Sequence, residues 1–375
     1  MSHSPRYFDH NATTPIAPAV AEAMWPFLTE HFGNPSSNHP YGQRAKTAVA
    51  RAREQVAALI GAHPDEIIFT SGGTEGNNLA IRGAAAVAST KVAVTTTVEH
   101  PATNAPLSLL EAAGWTVQRL GVDGEGRARI DAFPTGAVGL GTVILAQNEV
   151  GTIQPVRTIA DLVHDAGGVL HADAAQALGK IPVNVDALGV DLLSIAGHKL
   201  YAPKGVGALY VRRSTTLRPL LVGAGQEEGR RPGTENVASI VALGAACDVA
   251  AGALAQEPAR EAALRDLLWT ALTRTIPGLV RLSPTDGCLP NTLMIAVPGR
   301  LGADILDATP EIAASTGSAC HSGVHSPAAT LLAMGVAPDV ALGAIRLSLG
   351  RSTTALDVRE AVAALHHACQ PDARP

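Results

Sequence analysis

Between Ile67 and Val211 the chain alternates short apolar runs with helical patterns, and this alternation restricts the fold more than any other feature. The runs are 67–70, 91–97, 116–120, 141–146, 168–173, 191–196 and 205–211. They are too short for buried helices, rich in Val, Ile, Leu and Ala, and bounded by turn-forming Gly, Asp and Asn. Helical patterns begin near Thr74, Pro101 and Thr158. Strands separated by helices form a mostly parallel sheet with helices on both faces, so the expected class is α/β. In such sheets ligands bind beyond the carboxyl ends of the strands.

At 375 residues the chain is long enough for two domains. Helical patterns at 18–30 and 42–60 precede the alternating region, and those at 236–254 and 258–275 follow it. Beyond them come strand-like runs at 280–283, 293–297 and 345–349, with helices near Ala303, Ala328 and Ala355. The expectation is a large domain over 15–255 and a smaller α+β domain made of 1–14 with 256–375. An apolar fraction of 46% implies a globular chain. A net charge of −5 without a long basic run argues against nucleic acid as a partner. The N-terminal MSHSPRYFDHNATTP lacks an apolar signal core, and no run of about 18 apolar residues suggests a membrane span. A cytoplasmic protein is expected. Cys247, Cys288, Cys320 and Cys369 are too dispersed for a disulfide framework or paired CxxC knuckles.

The strand ends carry the chemistry. Run 191–196 leads into Gly197-His198-Lys199. Burying a lysine penalises its ammonium, lowers its pKa and leaves a nucleophilic amine, as a Schiff base with a carbonyl cofactor requires. An isolated G-H-K is more often a hairpin lysine, so its neighbours decide. The turn Ser71-Gly-Gly-Thr-Glu75 offers backbone N–H groups, a helix N-terminus and the Thr74 hydroxyl to an anion. It lacks both GK[ST] and dinucleotide spacing, which leaves a single phosphate. Asp173 ends run 168–173, where a carboxylate either keeps a pyridine nitrogen protonated or caps the next helix. Gln176 is placed to reach a phenolic oxygen on the same ring. Asn148 follows run 141–146, and His100 follows run 91–97 with an imidazole able to stack on that ring. Arg346, a charge within apolar 344–349, needs an anion: a substrate carboxylate, or an Asp or Glu at a domain interface. Cys320 lies in the small-residue stretch 315–323, which suits a mobile loop, and its thiolate would be the nucleophile. Cys320, His321 and His325 could instead ligate a metal, but no second cluster completes a tetrahedral site, so none is expected.

Taken in order, HNATTP, SGGTEGNN, EHPA, QNEVG, HADAAQ, AGHK, RPGTEN, GSACHS and IRLSLGR resemble the cysteine desulfurases, pyridoxal phosphate (PLP) enzymes of aminotransferase class V. The likeness runs from about Tyr7 to Thr354. TGSACHSG, RPGTEN and IRLSLGRSTT are particularly similar to the animal selenocysteine lyase branch. The resemblance implies a fold-type I PLP-dependent transferase whose large domain holds a seven-stranded type of sheet. It implies that Lys199 carries PLP and shuttles the Cα proton, with His100 stacked on the ring and assisting proton transfer. Asp173 would pair with the pyridine nitrogen, and Gln176 and Asn148 with the phenolic oxygen. Gly73, Thr74 and His198 would hold the phosphate, joined by Thr234 from the partner subunit of a homodimer. Arg346 and Asn148 would bind the substrate carboxylate, and Cys320 would take sulfur as a persulfide for an acceptor protein. The implied reaction is L-cysteine to L-alanine. Selenocysteine lyase, acting on L-selenocysteine, is an alternative. A non-catalytic PLP-fold module in sulfur or iron–sulfur assembly is another, motivated by Ala196 and Gly76 where the family usually has serines.

Overall fold

The computed structural model describes residues 4–316, 318–321 and 324–370, with the backbone only for 318–321, 324 and 325. The chain begins with β1 (Arg6–Tyr7), α1 (Pro18–Thr29) and α2 (Pro40–Ile60). β2 (Ile67–Thr70) leads into α3 (Gly73–Ala85), and β3 (Val92–Thr96) into α4 (Pro101–Ala112). β4 (Thr116–Leu120), β5 (Leu140–Ile144) and α5 (Val156–Asp165) follow. β6 (Val169–Asp173), the short α6 (Val185–Leu188), β7 (Leu192–Ala196) and β8 (Gly207–Val211) complete the alternating region.

The seven strands β2 to β8 form one sheet in the order β2-β8-β7-β6-β5-β3-β4. β4 through β7 run parallel, while β8 is antiparallel to both its neighbours. Successive side chains of a strand point to opposite faces, and the two sides of this sheet sort accordingly. Ile67 and Phe69 of β2, with Leu193 and Ile195 of β7, pack beneath α2, α5 and α7 (Val237–Ala253). Ile68 of β2 and Leu192 of β7 face α3 and α4 instead. Both faces are covered, which is why the strands read as continuous apolar runs. α7 is apolar almost all round because it is itself packed against α1 and α2.

Run 205–211 becomes strand only from Gly207, because Gly205 turns the chain at φ +83°. Gly207 is required where three segments meet. A Cβ there would lie 2.3 Å from the Ile195 carbonyl oxygen and 2.7 Å from the Gly72 Cα.

After α8 (Glu257–Thr275) come β9 (Val280–Arg281), β10 (Thr292–Ala296) and α9 (Gly302–Asp307). β11 (Ile312–Ala313), β12 (Ser315–Thr316), β13 (Ser318–His321) and β14 (Val324–Pro327) follow. The short α10 (Ala329–Ala333) and α11 (Pro338–Leu342), then β15 (Ala344–Ser348) and α12 (Ala355–Ala368), end the described chain. A second, antiparallel sheet has the order β12-β15-β10-β9 and packs Leu293, Ile295, Ile345 and Leu347 against α8 and α12. The N-terminal segment belongs to this core: β1 pairs with β11, and Phe8 is fully buried among these residues. Removing that ring would cost about 3–5 kcal/mol. The segment expected as a mobile loop around Cys320 runs instead as a hairpin of β13 and β14, with Cys320 opposite His325. No single helix among the described residues is long and apolar enough to cross a membrane.

Candidate active site

The carboxyl ends of β5, β6 and β7 and the turn after β2 meet the N-terminal segment and β15 around a cavity of about 390 Å³. Nine residues expected from the sequence line it: Gly73, Thr74, His100, Asn148, Asp173, Gln176, His198, Lys199 and Arg346.

Strand geometry explains the placements. β6 (Val-Leu-His-Ala-Asp) ends at Asp173, whose carboxylate emerges at the sheet edge with 4% exposure. Its Oδ1 accepts from the Ala175 N–H at 3.0 Å, and its Oδ2 from Asn77 Nδ2 at 2.7 Å. Asp173 therefore holds the following turn and also faces the cavity. Asn77 is fully buried on α3 and donates as well to Thr103. α3 starts at Gly73, and its first N–H groups, which have no partner within the helix, open towards the cavity wall. Gly72 provides the turn at φ +145°, while Glu75 braces it by accepting from Ser71 N and pairing with Arg231 at 2.8 Å.

His100 caps α4, with Nδ1 accepting from the Ala102 N–H at 3.1 Å. That bond fixes the tautomer in which Nε2 carries the proton. Burial lowers its pKa, with Lys199 adding to the shift and Asp173 opposing it. Lys199 ends a short 3₁₀ turn, Gly197–Lys199, directly after β7. Its Nζ donates to the Ala12 carbonyl at 2.7 Å and to that of Asn11. Burial, then Arg346, pushes its pKa down to about 8, against the pull of Asp9 and Asp173. A neutral amine is therefore accessible near neutral pH. His198 is pushed down to about 4 by burial and by Lys199 and Lys204, with Nδ1 3.1 Å from Thr13 Oγ1.

Opposite these groups, Arg346 of β15 donates to Asn148 O at 3.0 Å and pairs with Asp9 at 2.8 Å. Its Nε is buried without a partner among the described residues. Donors remain for a second anion beside Asp9. Ser315 of β12 pairs with Arg346. Cys320 lies five residues further along the chain, at most about 17 Å away when fully extended.

Residues 6–360 match the family model of aminotransferase class V. The cysteine desulfurase of Trichormus azollae is 46% identical over 354 residues, covering 93% of this chain and 88% of that protein. The cysteine desulfurase NifS of Azotobacter vinelandii is 44% identical over 355 residues, with the same coverage. The chain belongs to aminotransferase class V, among the cysteine desulfurases. A solved NifS-like protein superposes with a TM-score of 0.90 at 34% identity, over 96% of this chain and 98% of that one. SspA in complex with cysteine gives 0.79 at 33% identity, over 92% and 98%. The architecture is accordingly that of the fold-type I transferases of this family.

Two expected site residues are not placed at this cavity by the described residues. Thr234 is exposed and does not line the cavity of its own chain. The side chain of Cys320 lies outside the described residues, as do those of His321 and His325 and all of Gly317 and Gly323. Four residues around the site carried no assigned role from sequence: Asp9, Asn11, Asn77 and Glu99. Asp9 and Asn11 are brought there from hundreds of residues away, and only the HNATTP motif pointed to their neighbourhood. Glu99 is wholly buried between Thr96 and the Ile144 N–H, with its Oε2 unpartnered among the described residues. Burial pushes its pKa up to about 8. The bonds from Thr96 and Ile144 oppose that rise, and Asp173 adds to it.

The donor set suits one particular kind of ligand. A helix N-terminus takes an anion, a buried carboxylate takes a protonated ring nitrogen, and a depressed-pKa lysine takes a carbonyl. All three converge on one cavity. Ala196 presents only a methyl group there, so an anion at this end of the cavity would meet the α3 N–H groups, Thr74 and His198.

Proposed function

We propose that this cavity binds pyridoxal phosphate and converts L-cysteine to L-alanine, with the sulfur passing to Cys320 as a persulfide for an acceptor protein. The observation that carries the reading is the meeting of Lys199, Asp173, His100 and Arg346 around a single cavity. When bound, PLP supplies a carbonyl for the substrate amine and a ring that accepts an electron pair. Gly73, Thr74 and His198 hold its phosphate, and Asp173 keeps the ring nitrogen protonated. Gln176 and Asn148 address its phenolic oxygen, and His100 covers the ring face. Arg346, with Asn148, orients the substrate carboxylate. Lys199 Nζ takes the Cα proton and returns one during formation of alanine. The substrate Cβ–S bond breaks and an S–S bond forms to Cys320, so cysteine and the enzyme thiol become alanine and an enzyme persulfide.

The same reading makes the protein a cytoplasmic homodimer whose Thr234 completes the partner's phosphate site. It divides the chain into a large unit, 15–255, and a small unit of 1–14 with 256–375. The apolar cores under the seven-stranded sheet and under the second sheet support that division, and a smaller cluster packs Val98, Val122 and Val150 against Met294 and Leu331 across the boundary.

The test is one turnover of the PLP-loaded protein with L-cysteine and no reductant. Equal amounts of alanine and Cys320 persulfide are expected, and Cys320→Ser should keep the cofactor's visible band but release no sulfur. Absence of any visible band defeats the reading. A preference for selenocysteine that survives Cys320→Ala replaces it with the lyase.

A further inference from the structure

Behind Lys199 lies a second lysine that the reaction does not use. Lys180, 8% exposed, follows the turn after β6, and its Nζ donates to Gln176 Oε1 at 2.7 Å and to Asn11 Oδ1 at 2.8 Å. Gln176 Nε2 in turn donates to the Asn11 carbonyl at 2.8 Å. That same carbonyl accepts from Lys199 Nζ. Asn11 is further fixed by donating to Thr292 Oγ1 at 2.8 Å and to Asn148 O at 3.2 Å, and by accepting from Asn291 at 3.1 Å.

The chemistry of the donors leaves one arrangement. Lys180 Nζ donates to both side chains, and as an ammonium it has only hydrogens to offer, so it faces the oxygen of each amide. Gln176 Oε1 is thereby turned away from the cavity. Of the two N–H bonds on Nε2, one goes to Asn11 and the other is left on the cavity side, where Gln176 is part of the lining. Without Lys180 the amide could rotate and present its oxygen instead.

Resting on the reading of the site as a PLP site, we propose that Lys180 is a positioning residue: it locks the Gln176 amide so that an N–H, not an oxygen, meets the phenolic oxygen of the cofactor ring. The charged groups around Lys180 are Lys199 from the 3₁₀ turn, Arg346 from β15 and Glu261 from α8. Burial, the largest cause, then Lys199 and Arg346 bring Lys180 down to about 7, against the pull of Glu261. The ammonium has three N–H bonds and no lone pair, so it holds both acceptors in place, and a neutral amine still has the two N–H bonds that they need.

The experiment is a spectroscopic pH titration of the cofactor's visible band in the PLP-loaded wild type, Lys180→Met and Gln176→Glu. An N–H donated to the phenolic oxygen stabilises its ionised form and lowers the pH at which the band changes. Lys180→Met should raise that midpoint by about one unit, the scale of one hydrogen bond to a charged group. Gln176→Glu keeps Lys180 bonded to one oxygen and places the other at the ring, and should raise the midpoint further. This second variant decides the matter should Lys180→Met not fold. A midpoint within about 0.2 unit of wild type in the variants that fold overturns the positioning role alone. A wild type without a visible band overturns the reading of the site and the positioning role together.

Discussion

The two walls of the cavity are built differently. On one, every chemical group follows a strand of the seven-stranded sheet: Asp173 ends β6, Lys199 leaves β7, and Asn148 and His100 follow β5 and β3. Asp173 is braced by Asn77 and by its own turn and His100 by Ala102, while Lys199 is held across the cavity by the Asn11 and Ala12 carbonyls. The other wall joins Asp9 to Arg346, 337 residues apart in sequence, and depends on Phe8 anchoring the N-terminal segment in the second core. On the proposed reading the sheet wall holds the proton carrier and the groups that hold the cofactor ring. The opposite wall holds a cation with donors to spare. Substitutions on the sheet wall should therefore lower kcat, and those on the opposite wall should raise KM.

The largest effect belongs to Lys199→Ala, which removes both the carbonyl anchor and the proton carrier. Turnover should fall by at least about 10⁴-fold, and the visible band should be lost even with PLP added. A variant that keeps the band would move the anchor to another amine. Asp173→Asn comes next. It keeps the shape and removes the charge that holds a ring nitrogen protonated, so kcat should drop roughly 10²–10³-fold. A change confined to KM would contradict the assignment of Asp173 to the chemical wall.

On the other wall, Arg346→Lys keeps the charge next to Asp9 but loses the planar fork that holds a carboxylate by two bonds. Steady-state kinetics with L-cysteine should show KM rising about 10- to 100-fold, with kcat changed much less. An equal fall in kcat and kcat/KM would show that Arg346 acts in the transition state, erasing the distinction between the walls.

How much of this was legible in sequence follows the same division. The sheet wall was readable because each of its residues terminates an apolar run that local periodicity reveals. All seven expected runs are strands, displaced by no more than two residues at their ends. The opposite wall was readable only at β15, expected as the run 345–349, since its N-terminal elements are too short to carry a pattern. β1 and β11 are two residues each and exist only through their mutual pairing, Arg6 to Ile312 and Tyr7 to Ala313. Arg346 was recognisable as a charge out of place, yet nothing near it in sequence named Asp9 as its partner. Lys180 reads as an ordinary lysine after a glycine until the fold brings Asn11 to it. The hairpin of β13 and β14 was read as a loop because its Gly, Ser and His composition lacks strand propensity, which backbone pairing overrides.

The smallest expected effect concerns Glu99, which belongs to the sheet wall but touches the chemistry only through its neighbours. Its acid form is held in the folded chain up to about pH 8, whereas an ordinary glutamate ionises near 4.5. Between those values the folded state binds the extra proton, so this group's contribution to stability falls as pH rises. Glutamine copies the shape of the neutral acid, can accept the same bonds from Thr96 and Ile144, and never ionises. The melting temperature of Glu99→Gln relative to wild type should therefore climb between pH 5 and pH 8, by about 2–4 °C for each kcal/mol released. Taking the difference between the two proteins cancels the titrations of His198, His171 and Lys180, which both share. Because the neutral form also spares Asp173 a second negative charge nearby, kcat at pH 7 should change less than threefold, well below the loss in Asp173→Asn. A melting difference that stays flat with pH would mean Glu99 is ionised in the fold, and the sheet wall would then carry two carboxylates rather than one.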